Sequence, residues 1–361
     1  DAKNENEPGG SLIVEGNSAE HVTFTAFGGL GNYWLGVSAA TYAEVSLHYV
    51  DFYNASKGAG AGYGAFTTVF KDTPAVTLDH TTFRSLAAGG ALRIKHRAGF
   101  TPGSSIEVTS YASAGVPQFP VVEIDPLAAG TLSEDMLNLH PAYIPDEFRV
   151  VRINENEVNQ SVTWKKLGVP YVTKSADFSI RVASVNDPAP VLTLDPGVLW
   201  ETDASILVGG PTGDPGDLVA LGSAADPVQI TTLGNPDNPA ASWGTLAFVG
   251  FGFDAAVSRL DHVKLTHGGN PLLDSAGTVN CHDVAEPSTN KPALVVITGV
   301  GNYNGPLITN SVFSYSGSDG IRARCAGNDC IDSNDDYTDP ADGNSFDNIA
   351  GVNQFSPTSC L

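Results

Sequence analysis

The chain contains the stretch Ser11-Leu-Ile-Val-Glu-Gly-Asn-Ser-Ala-Glu-His-Val-Thr-Phe-Thr25 and repeats it as Asp217-Leu-Val-Ala-Leu-Gly-Ser-Ala-Ala-Asp-Pro-Val-Gln-Ile-Thr231. The shift is constant at 206 residues, from 11 to 217 and from 25 to 231, and needs no gap. A tryptophan follows each copy, at Trp34 and at Trp243. Self-similarity at a fixed spacing is typical of repeat architectures.

Within the first copy, a shorter period of 31 residues relates Val45-Ser-Leu-His-Tyr-Val-Asp-Phe52 to Val76-Thr-Leu-Asp-His-Thr-Thr-Phe83. Units this short cannot bury an apolar face alone, so repeat proteins stack them into one continuous core. The alignments predict two apolar columns, one of Leu47, Leu78, Leu260 and Ile308 and one of Phe52, Phe83, Leu265 and Phe313.

The composition favours an all-β protein. The apolar runs are short and rich in Val, Ile, Thr and Phe, and 39 glycines and 23 prolines punctuate the chain. This pattern is typical of strands joined by turns. One segment, residues 132–139, has the pattern of a helix, with Ser133 as its N-cap.

The formal net charge of −22, from 40 acidic and 18 basic residues, opposes binding to nucleic acid, because phosphate contacts need clustered Lys and Arg. The sequence contains no Lys/Arg-rich run, no visible signal peptide and no membrane-spanning segment. We expect an exported protein with a well-solvated acidic surface, located outside the cell or at the cell surface.

The repeats divide the chain into four regions. Residues 1–10 are a polar lead or linker, residues 11–175 hold the first repeat and a connecting segment, residues 176–325 hold the second repeat, and residues 326–361 form an acidic C-terminal cap or tail. Strand-like segments precede the second copy, and the first copy has no room for their equivalents before Ser11. We therefore expect that the chain was cut from a longer precursor or is one part of it.

The four cysteines, Cys281, Cys325, Cys330 and Cys360, all lie in the last third of the chain. An even number of cysteines in an exported protein predicts two disulfides. Three pairings are possible, and we favour a local loop between Cys325 and Cys330 and a clasp between Cys281 and Cys360. A metal–thiolate site is the alternative, although Cys-x4-Cys lacks the ordinary spacing of zinc ligands.

Three stretches carry a resemblance to a known family. They are Thr163-Trp-Lys-Lys-Leu-Gly-Val-Pro-Tyr-Val172, then Leu192-Thr-Leu-Asp-Pro-Gly-Val198 with the 217–231 repeat and Trp243, then Leu260-Asp-His-Val-Lys-Leu-Thr-His-Gly-Gly269 with Ile308-Thr-Asn-Ser-Val-Phe313 and Gly320-Ile321. Their succession resembles the pectate-lyase-like superfamily and, more narrowly, secreted or surface-anchored bacterial proteins that are mostly uncharacterised. The resemblance implies an all-β, right-handed parallel β-helix (a solenoid), built here from two diverged sequence repeats.

Such a fold gives roles to particular turn residues. Small polar residues at strand-to-turn junctions hydrogen-bond the turn backbone, and glycines occupy turn positions with positive φ. We expect Asn54 and Asn310 to have the first role, and Gly90 and Gly320 to have the second.

The resemblance also implies what a lyase site would look like. Lyases of the superfamily abstract a proton with an Arg or Lys beside a calcium cluster of acidic side chains. The candidates here are Arg84 and Lys264, with Asp51, Asp79 and Asp261 near them in the repeats. No lyase motif is reproduced, and solvent-facing strand charges explain these residues equally well, so the sequence identifies no catalytic residue.

Two histidines occupy equivalent positions in the two copies, and each follows an aspartate, as Asp79-His80 and Asp261-His262. His/Asp pairs suit acid–base chemistry. Adjacent residues of a strand point to opposite faces, however. We therefore expect no cooperation within either pair and a structural role for both histidines.

The acidic segment 332–343 places five oxygen-bearing side chains close together in the sequence, namely Asp332, Asn334, Asp336, Asp339 and Asp342. Alternating Asp and Asn in a loop present the hard oxygen ligands that calcium prefers. We expect a calcium site that stabilises the C-terminal cap, and the alternative is an acidic, solvated loop.

Aromatic residues cluster near the start of the first copy. Phe52 belongs to a predicted core column and Trp34 has an equivalent in the second copy, so both are predicted to pack internally. Tyr49, Tyr53 and Tyr63 are the candidate ligand-binding residues, because exposed aromatics on a β-helix face can stack on sugar rings.

Two functions from different classes follow. The first is a non-catalytic extracellular or cell-surface protein that presents a rigid binding face to a polysaccharide or another surface component. The alternative is a polysaccharide lyase or glycoside hydrolase of the same superfamily, for which the main argument is analogy of fold. A glycosidase needs two carboxylates flanking the scissile bond, and the sequence does not show which carboxylates converge.

Overall fold

The computed structural model describes residues 10–27, 34–39, 43–55, 64–68, 76–84, 86, 90–94, 99–109, 120–154, 157–174, 180–184, 188–210, 214–234, 243–249, 253–254, 256–269, 293–298, 307–324 and 336–355. It is 48% strand and 4% helix, which confirms the all-β prediction. The chain divides into two compact units, unit 1 (residues 1–155 and 167–169) and unit 2 (residues 156–166 and 170–361).

Unit 1 is built from short strands that lie in three sheets. The elements are β1 Ser11–Glu15, β2 Val22–Phe24, β3 Val37–Ala39, β4 Glu44–His48, β5 Val50–Tyr53, β6 Phe66–Thr68, β7 Val76–Asp79, β8 Thr81–Arg84, β9 Leu92–Ile94, β10 Ile106–Val108, β11 Val122–Ile124, α1 Pro126–Ala129, a 3-10 turn Glu134–Met136, β12 Leu137–Leu139 and β13 Val151–Ile153. The strand orders are β1-β4-β7, β2-β5-β8-β10-β12 and β3-β6-β9-β11-β13.

Unit 2 repeats this organisation with more strands in total. The elements are β14 Glu157–Val158, β15 Val162–Trp164, β16 Tyr171–Thr173, β17 Ile180–Val182, β18 Val191–Leu194, β19 Leu199–Thr202, β20 Ile206–Val208, β21 Asp217–Leu221, β22 Val228–Thr232, β23 Leu246–Phe248, β24 Arg259–Asp261, β25 Val263–Thr266, β26 Ala293–Thr298, β27 Ile308–Thr309, β28 Val312–Ser316, β29 Asp319–Arg324, a 3-10 turn Pro340–Asp342, β30 Ser345–Ile349 and β31 Gln354–Phe355. The strand orders are β14-β17-β20-β23-β26-β29-β31, β15-β18-β21-β24-β27 and β16-β19-β22-β25-β28-β30.

The strand order explains how these short strands form sheets. Neighbours in a sheet are mostly three strands apart along the chain, and their pairing is parallel in both units. Parallel neighbours need a crossover between them, and here the crossover contains strands of the other two sheets. Long parallel sheets of this kind are compatible with a parallel β-helix.

The strand register brings together the residues of the predicted apolar columns within each unit. In unit 1 Leu47 lies opposite Leu78 and Phe52 lies opposite Phe83, so residues that the 31-residue spacing aligns lie on paired strands. In unit 2 Leu260 lies opposite Ile308, and Leu265 lies opposite Phe313. All eight side chains are fully buried, so the repeat period is also the spacing of the core.

Two local predictions were wrong. Residues 132–139 do not form one helix, because the 3-10 turn ends at Met136 and the next three residues form β12, which pairs with β10. Gly90 has the predicted positive φ of 81°, whereas Gly320 is not among the positive-φ glycines. Gly320 is instead constrained by space, because an added Cβ would lie 2.6 Å from the Asn353 carbonyl oxygen.

Candidate functional site

The candidate site of unit 1 forms around two bends between consecutive strands. Tyr49, with φ of 50°, separates β4 from β5, and His80, with φ of 48°, separates β7 from β8. Left-handed backbone is uncommon for residues other than Gly, Asn, Asp and His, and unit 2 has Asn310 at such a bend, with φ of 50°. Tyr49 is the less usual residue of the two, which makes its bend a candidate for a functional role.

An outward-facing row of ionisable side chains lies just before the bends. The register places Glu15 opposite His48, and His48 opposite Asp79. His48 Nδ1 lies 3.2 Å from Asp79 Oδ2, and His48 Nε2 lies 3.9 Å from Glu15 Oε1. The side chains of His48 and Asp79 are 30% and 27% exposed, so solvent and ligands can reach them.

An aromatic row lies beside the ionisable row. The ring of Tyr49 stacks on the imidazole of His80, with centroids 4.4 Å apart and planes at 13°, and contacts His21 in a tilted geometry at 5.4 Å. His80 Nδ1 lies 2.7 Å from Asp79 Oδ1. Asp79 therefore holds two imidazoles, one with each carboxylate oxygen.

These contacts overturn the prediction that an adjacent Asp and His do not cooperate. Asp79 contacts His80, and in unit 2 His262 Nδ1 lies 3.3 Å from Asp261 Oδ1. Alternation of faces holds only while the chain is extended, and both histidines lie at positive φ, with 53° at His262. The bend brings each imidazole back over the preceding carboxylate.

A second group of side chains in unit 1 contains Asp51 and Arg84, two of the residues considered above as candidates for a lyase site. Asp51 Oδ1 lies 3.4 Å from His21 Nδ1 and 3.7 Å from Arg84 Nη2. The guanidinium carbon of Arg84 lies 5.6 Å from the ring centroid of Tyr53, a cation–π distance. The structure thus brings Asp51 and Arg84 together with Tyr53, one of the predicted ligand-binding residues.

The corresponding group in unit 2 is smaller. Asp261 Oδ1 accepts hydrogen bonds from Thr309 Oγ1 at 2.8 Å and Asn310 Nδ2 at 2.9 Å. Partial burial alone would raise the pKa of Asp261, but the hydrogen bonds and the adjacent His262 outweigh it and hold the pKa below its usual value. Asp261 therefore stays ionised and fixes the bend. Lys264 is exposed on β25.

The described part of the acidic segment is folded against unit 2. Asp336 Oδ1 accepts hydrogen bonds from Thr338 N and Oγ1, and Asp339 Oδ1 caps the Pro340–Asp342 turn through Ala341 N at 2.8 Å. Burial and then the charges of Asp339 and Asp336 raise the pKa of Asp342. Three carboxylates therefore share a negative potential, while two of them also bind local backbone.

Some predicted site residues lie outside the described residues. They are Tyr63, the calcium candidates Asp332 and Asn334, and the four cysteines Cys281, Cys325, Cys330 and Cys360. Their roles stay predictions. The structure adds Ser46, His48 and Glu15, which the sequence analysis did not select.

The described residues contain no group of three or more His, Cys, Asp or Glu side chains arranged to hold a metal ion. Among the same residues, no helix has both the length and the apolar character needed to cross a membrane.

The chain matches no protein-family model, no curated protein and no solved structure. Its function is therefore argued from its own residues.

Proposed function

We propose that this chain is an extracellular or cell-surface protein with a right-handed parallel β-helix fold, and that one face of unit 1 binds a polysaccharide or another surface component. Consecutive strands along the chain enter the three sheets in turn, and this order supports the β-helix. Right-handedness follows from the strong preference of parallel crossovers for that hand. Placement outside the cell rests on the acidic, strand-rich composition.

Equivalent backbone contacts support an origin of the two units by duplication. Three groups of the repeated stretch make the same contacts in both units. They are the backbone N–H of the glycine that follows β1 or β21, the backbone N–H of the valine that begins β2 or β22, and the indole N–H of the tryptophan that follows. The pairs are Gly16 N to His48 O and Gly222 N to Asp261 O, Val22 N to Tyr49 O and Val228 N to His262 O, and Trp34 Nε1 to Tyr53 O and Trp243 Nε1 to Thr266 O.

The observation that carries the binding proposal is the aromatic row of His21, Tyr49 and His80 beside the Glu15–His48–Asp79 row. Sugar rings combine apolar faces with hydroxyl groups, so a ligand of this class needs rings to stack on and carboxylates or imidazoles to hydrogen-bond. The net charge of −22 favours a neutral or cationic polysaccharide over a polyanion.

We predict that Tyr49→Asn weakens polysaccharide binding about tenfold or more, because loss of an aromatic anchor typically costs ~1–2 kcal/mol or more. Asparagine tolerates the backbone of this bend, as Asn310 does at φ of 50°. The measurement is affinity across a panel of neutral, cationic and anionic polysaccharides.

The matched control is Tyr315→Asn in unit 2. Tyr315 also has positive φ, 55°, and stacks on a histidine, His267, with ring centroids 4.8 Å apart. The Glu15–His48–Asp79 row, however, lies in unit 1. The Tyr315→Asn variant should therefore bind polysaccharide like the wild type. A wild-type protein that binds no member of the panel would rule out the proposal.

The alternative function, a polysaccharide lyase or glycoside hydrolase, is favoured by one observation. Arg84 lies beside Asp51 and is 37% exposed, which fits the Arg base that the superfamily resemblance implies. Reading the same panel for unsaturated products and new reducing ends separates the two functions.

We also propose that calcium binds the acidic segment 332–343 with Asp342 as one of its ligands. The described residues of this segment do not form a group of three metal ligands by themselves. The raised pKa of Asp342 supports this, because crowded carboxylates gain most from a cation. We predict that calcium raises the melting temperature of the wild type and does so much less in Asp342→Asn. At a calcium concentration about 100 times the Kd, binding adds ~2.7 kcal/mol to the free energy of unfolding.

The calcium effect has a predicted pH dependence. Protons and calcium compete for Asp342, and its pKa is raised, so the stabilisation is present at neutral pH and is lost as the pH falls through that pKa. Asp347→Asn, an exposed change on β30 outside the segment, is the control. Calcium titration without heat or thermal shift would exclude the site.

A further inference from the structure

We propose that Ser46, His48 and Asp79 form a hydrolytic triad that cleaves O-acyl esters, an activity that goes beyond binding. Ser46 Oγ lies 3.0 Å from His48 Nε2, and His48 Nδ1 lies 3.2 Å from Asp79 Oδ2. This is the order of contacts in a nucleophile–base–carboxylate triad, which is recognised by geometry and role rather than by position in the chain.

The fold accounts for this arrangement. Ser46 and His48 are two residues apart on β4, so both point outward from the sheet. The register places Asp79 of β7 opposite His48. Two elements of regular sheet therefore hold all three side chains, and such a support is more precise than a loop.

The carboxylate fixes the state of the imidazole. In the Nδ1–H tautomer His48 donates a hydrogen bond to Asp79 Oδ2, which leaves Nε2 as the acceptor for the Ser46 hydroxyl proton. The other oxygen of Asp79 contacts His80 Nδ1 at 2.7 Å, which restrains the carboxylate. Glu15 Oε1 lies 3.9 Å from His48 Nε2, beyond hydrogen-bonding distance.

A hydroxyl group beside the nucleophile can donate a hydrogen bond to the oxyanion that develops during the reaction. Thr77 lies opposite Ser46 in the register and is half-buried. Thr77 Oγ1 accepts a hydrogen bond from Thr101 Oγ1 at 3.0 Å, so its own proton is directed elsewhere. We assign this proton to the carbonyl oxygen of the ester in the tetrahedral intermediate.

The reaction balances with water as the only other reactant. Ser46 Oγ attacks the acyl carbon as His48 Nε2 takes the hydroxyl proton, and the ester C–O bond breaks as His48 returns that proton to the leaving alkoxide. Water then attacks the acyl-serine, giving its proton to His48, and the carboxylic acid leaves as Ser46 is reprotonated.

The position of the triad on the sheet indicates the class of substrate. The three side chains stand on the outward side of a sheet, beside the aromatic row of Tyr49 and His80. An extended polymer can lie along such a face and present a small pendant ester to Ser46. We therefore assign the activity to short acyl esters, such as acetyl esters, on sugar hydroxyls.

The test is covalent labelling with a fluorophosphonate, read by peptide mass mapping, and turnover of p-nitrophenyl acetate and an O-acetylated neutral polysaccharide. We expect a label on Ser46 in the wild type. It should be lost in Ser46→Ala and His48→Ala, with turnover reduced about 1,000-fold or more, and Asp79→Asn should lose about 100-fold or more. Thr77→Val should lose about 100-fold in kcat.

The control is His140→Ala, which removes an imidazole paired with a carboxylate, Glu107 Oε1 at 2.8 Å, but without a serine in the arrangement. It should keep full labelling and turnover. A folded wild type that is not labelled at Ser46, or a label that persists in His48→Ala, overturns the triad. Circular dichroism verifies that each variant is folded, and Ser46→Ala should still bind polysaccharide, so failure of the triad and failure of binding are distinguishable.

Discussion

Phe52→Ala is expected to destabilise unit 1 by about 3–5 kcal/mol, the usual cost of removing a fully buried aromatic ring. The Phe52 side chain has no exposed area. Its ring stacks between Phe24 at 5.4 Å and Phe83 at 5.0 Å, and Trp34 lies parallel to it at 6.1 Å. The truncation would leave a cavity with three aromatic rings around it. Strands β2, β5 and β8 fix the spacing of the phenylalanines, so the surrounding side chains cannot move in to fill this cavity.

The measurement is thermal and denaturant unfolding together with hydrogen exchange read by mass spectrometry. Amides of β5 and β8 should lose protection first, because their strands carry the ring and its neighbour. Leu35→Ala is the control, since Leu35 is 54% exposed and its removal should change the free energy of unfolding by less than about 0.5 kcal/mol. A Phe52 variant as stable as this control would contradict the stacked column.

The column of Phe52 was predictable from the sequence because a stacked fold uses one spacing for both the repeat and the core. The period of 31 residues that aligns Phe52 with Phe83 also aligns His48 with Asp79 and Ser46 with Thr77. The contacts of the candidate triad were thus contained in the alignment. The alignment alone did not select them, because it does not separate polar residues that contact across strands from polar residues that only face solvent.

The bends at Tyr49 and His80 could not be predicted in the same way. Alternation of buried and exposed residues describes extended chain, and a single left-handed residue reverses the side-chain direction without changing the composition. A tyrosine in that conformation gives no sequence signal of the kind that glycine or asparagine gives, and the preference of histidine for it is too weak to locate a bend. The Asp79–His80 contact therefore needed coordinates, and so did the stacking of Tyr49 on His80.

Residues on the outward face of a parallel sheet have a property that suits them to a functional site. Neighbouring strands are about 4.8 Å apart, so side chains at the same register position are within hydrogen-bonding reach. His48 and Asp79 show this at 3.2 Å, and Glu15 lies at the same register position on the third strand, 3.9 Å from His48. The buried apolar columns on the other face of the sheet fix the strand register. The same packing therefore stabilises unit 1 and makes the site rigid.

A close approach between backbone segments at Gly216 of unit 2 leads to the second large prediction. Gly216→Ala should destabilise unit 2 by about 3 kcal/mol or more, because the new Cβ would overlap the carbonyl oxygen of Val182 and lie 2.9 Å from Ala183 Cα. These are backbone atoms of β17, a strand of another sheet, and of the residue after it, and they cannot move away as the end of a flexible side chain can. Asp217, the next residue, is buried and begins β21, so the strand cannot shift outward without exposing it.

Gly234→Ala in the same unit separates steric overlap from backbone preference. Gly234 has φ of 92° and an added Cβ would meet no atom within 4 Å, so this change costs only the strain of a left-handed alanine, about 1 kcal/mol. Gly216 is not among the positive-φ residues, so its substitution tests space alone. Denaturant unfolding of both variants should rank Gly216→Ala well below Gly234→Ala in stability. Equal losses would mean that the two chain segments are farther apart than the structure places them, because only close backbone contact makes a single methyl group so costly at an ordinary φ.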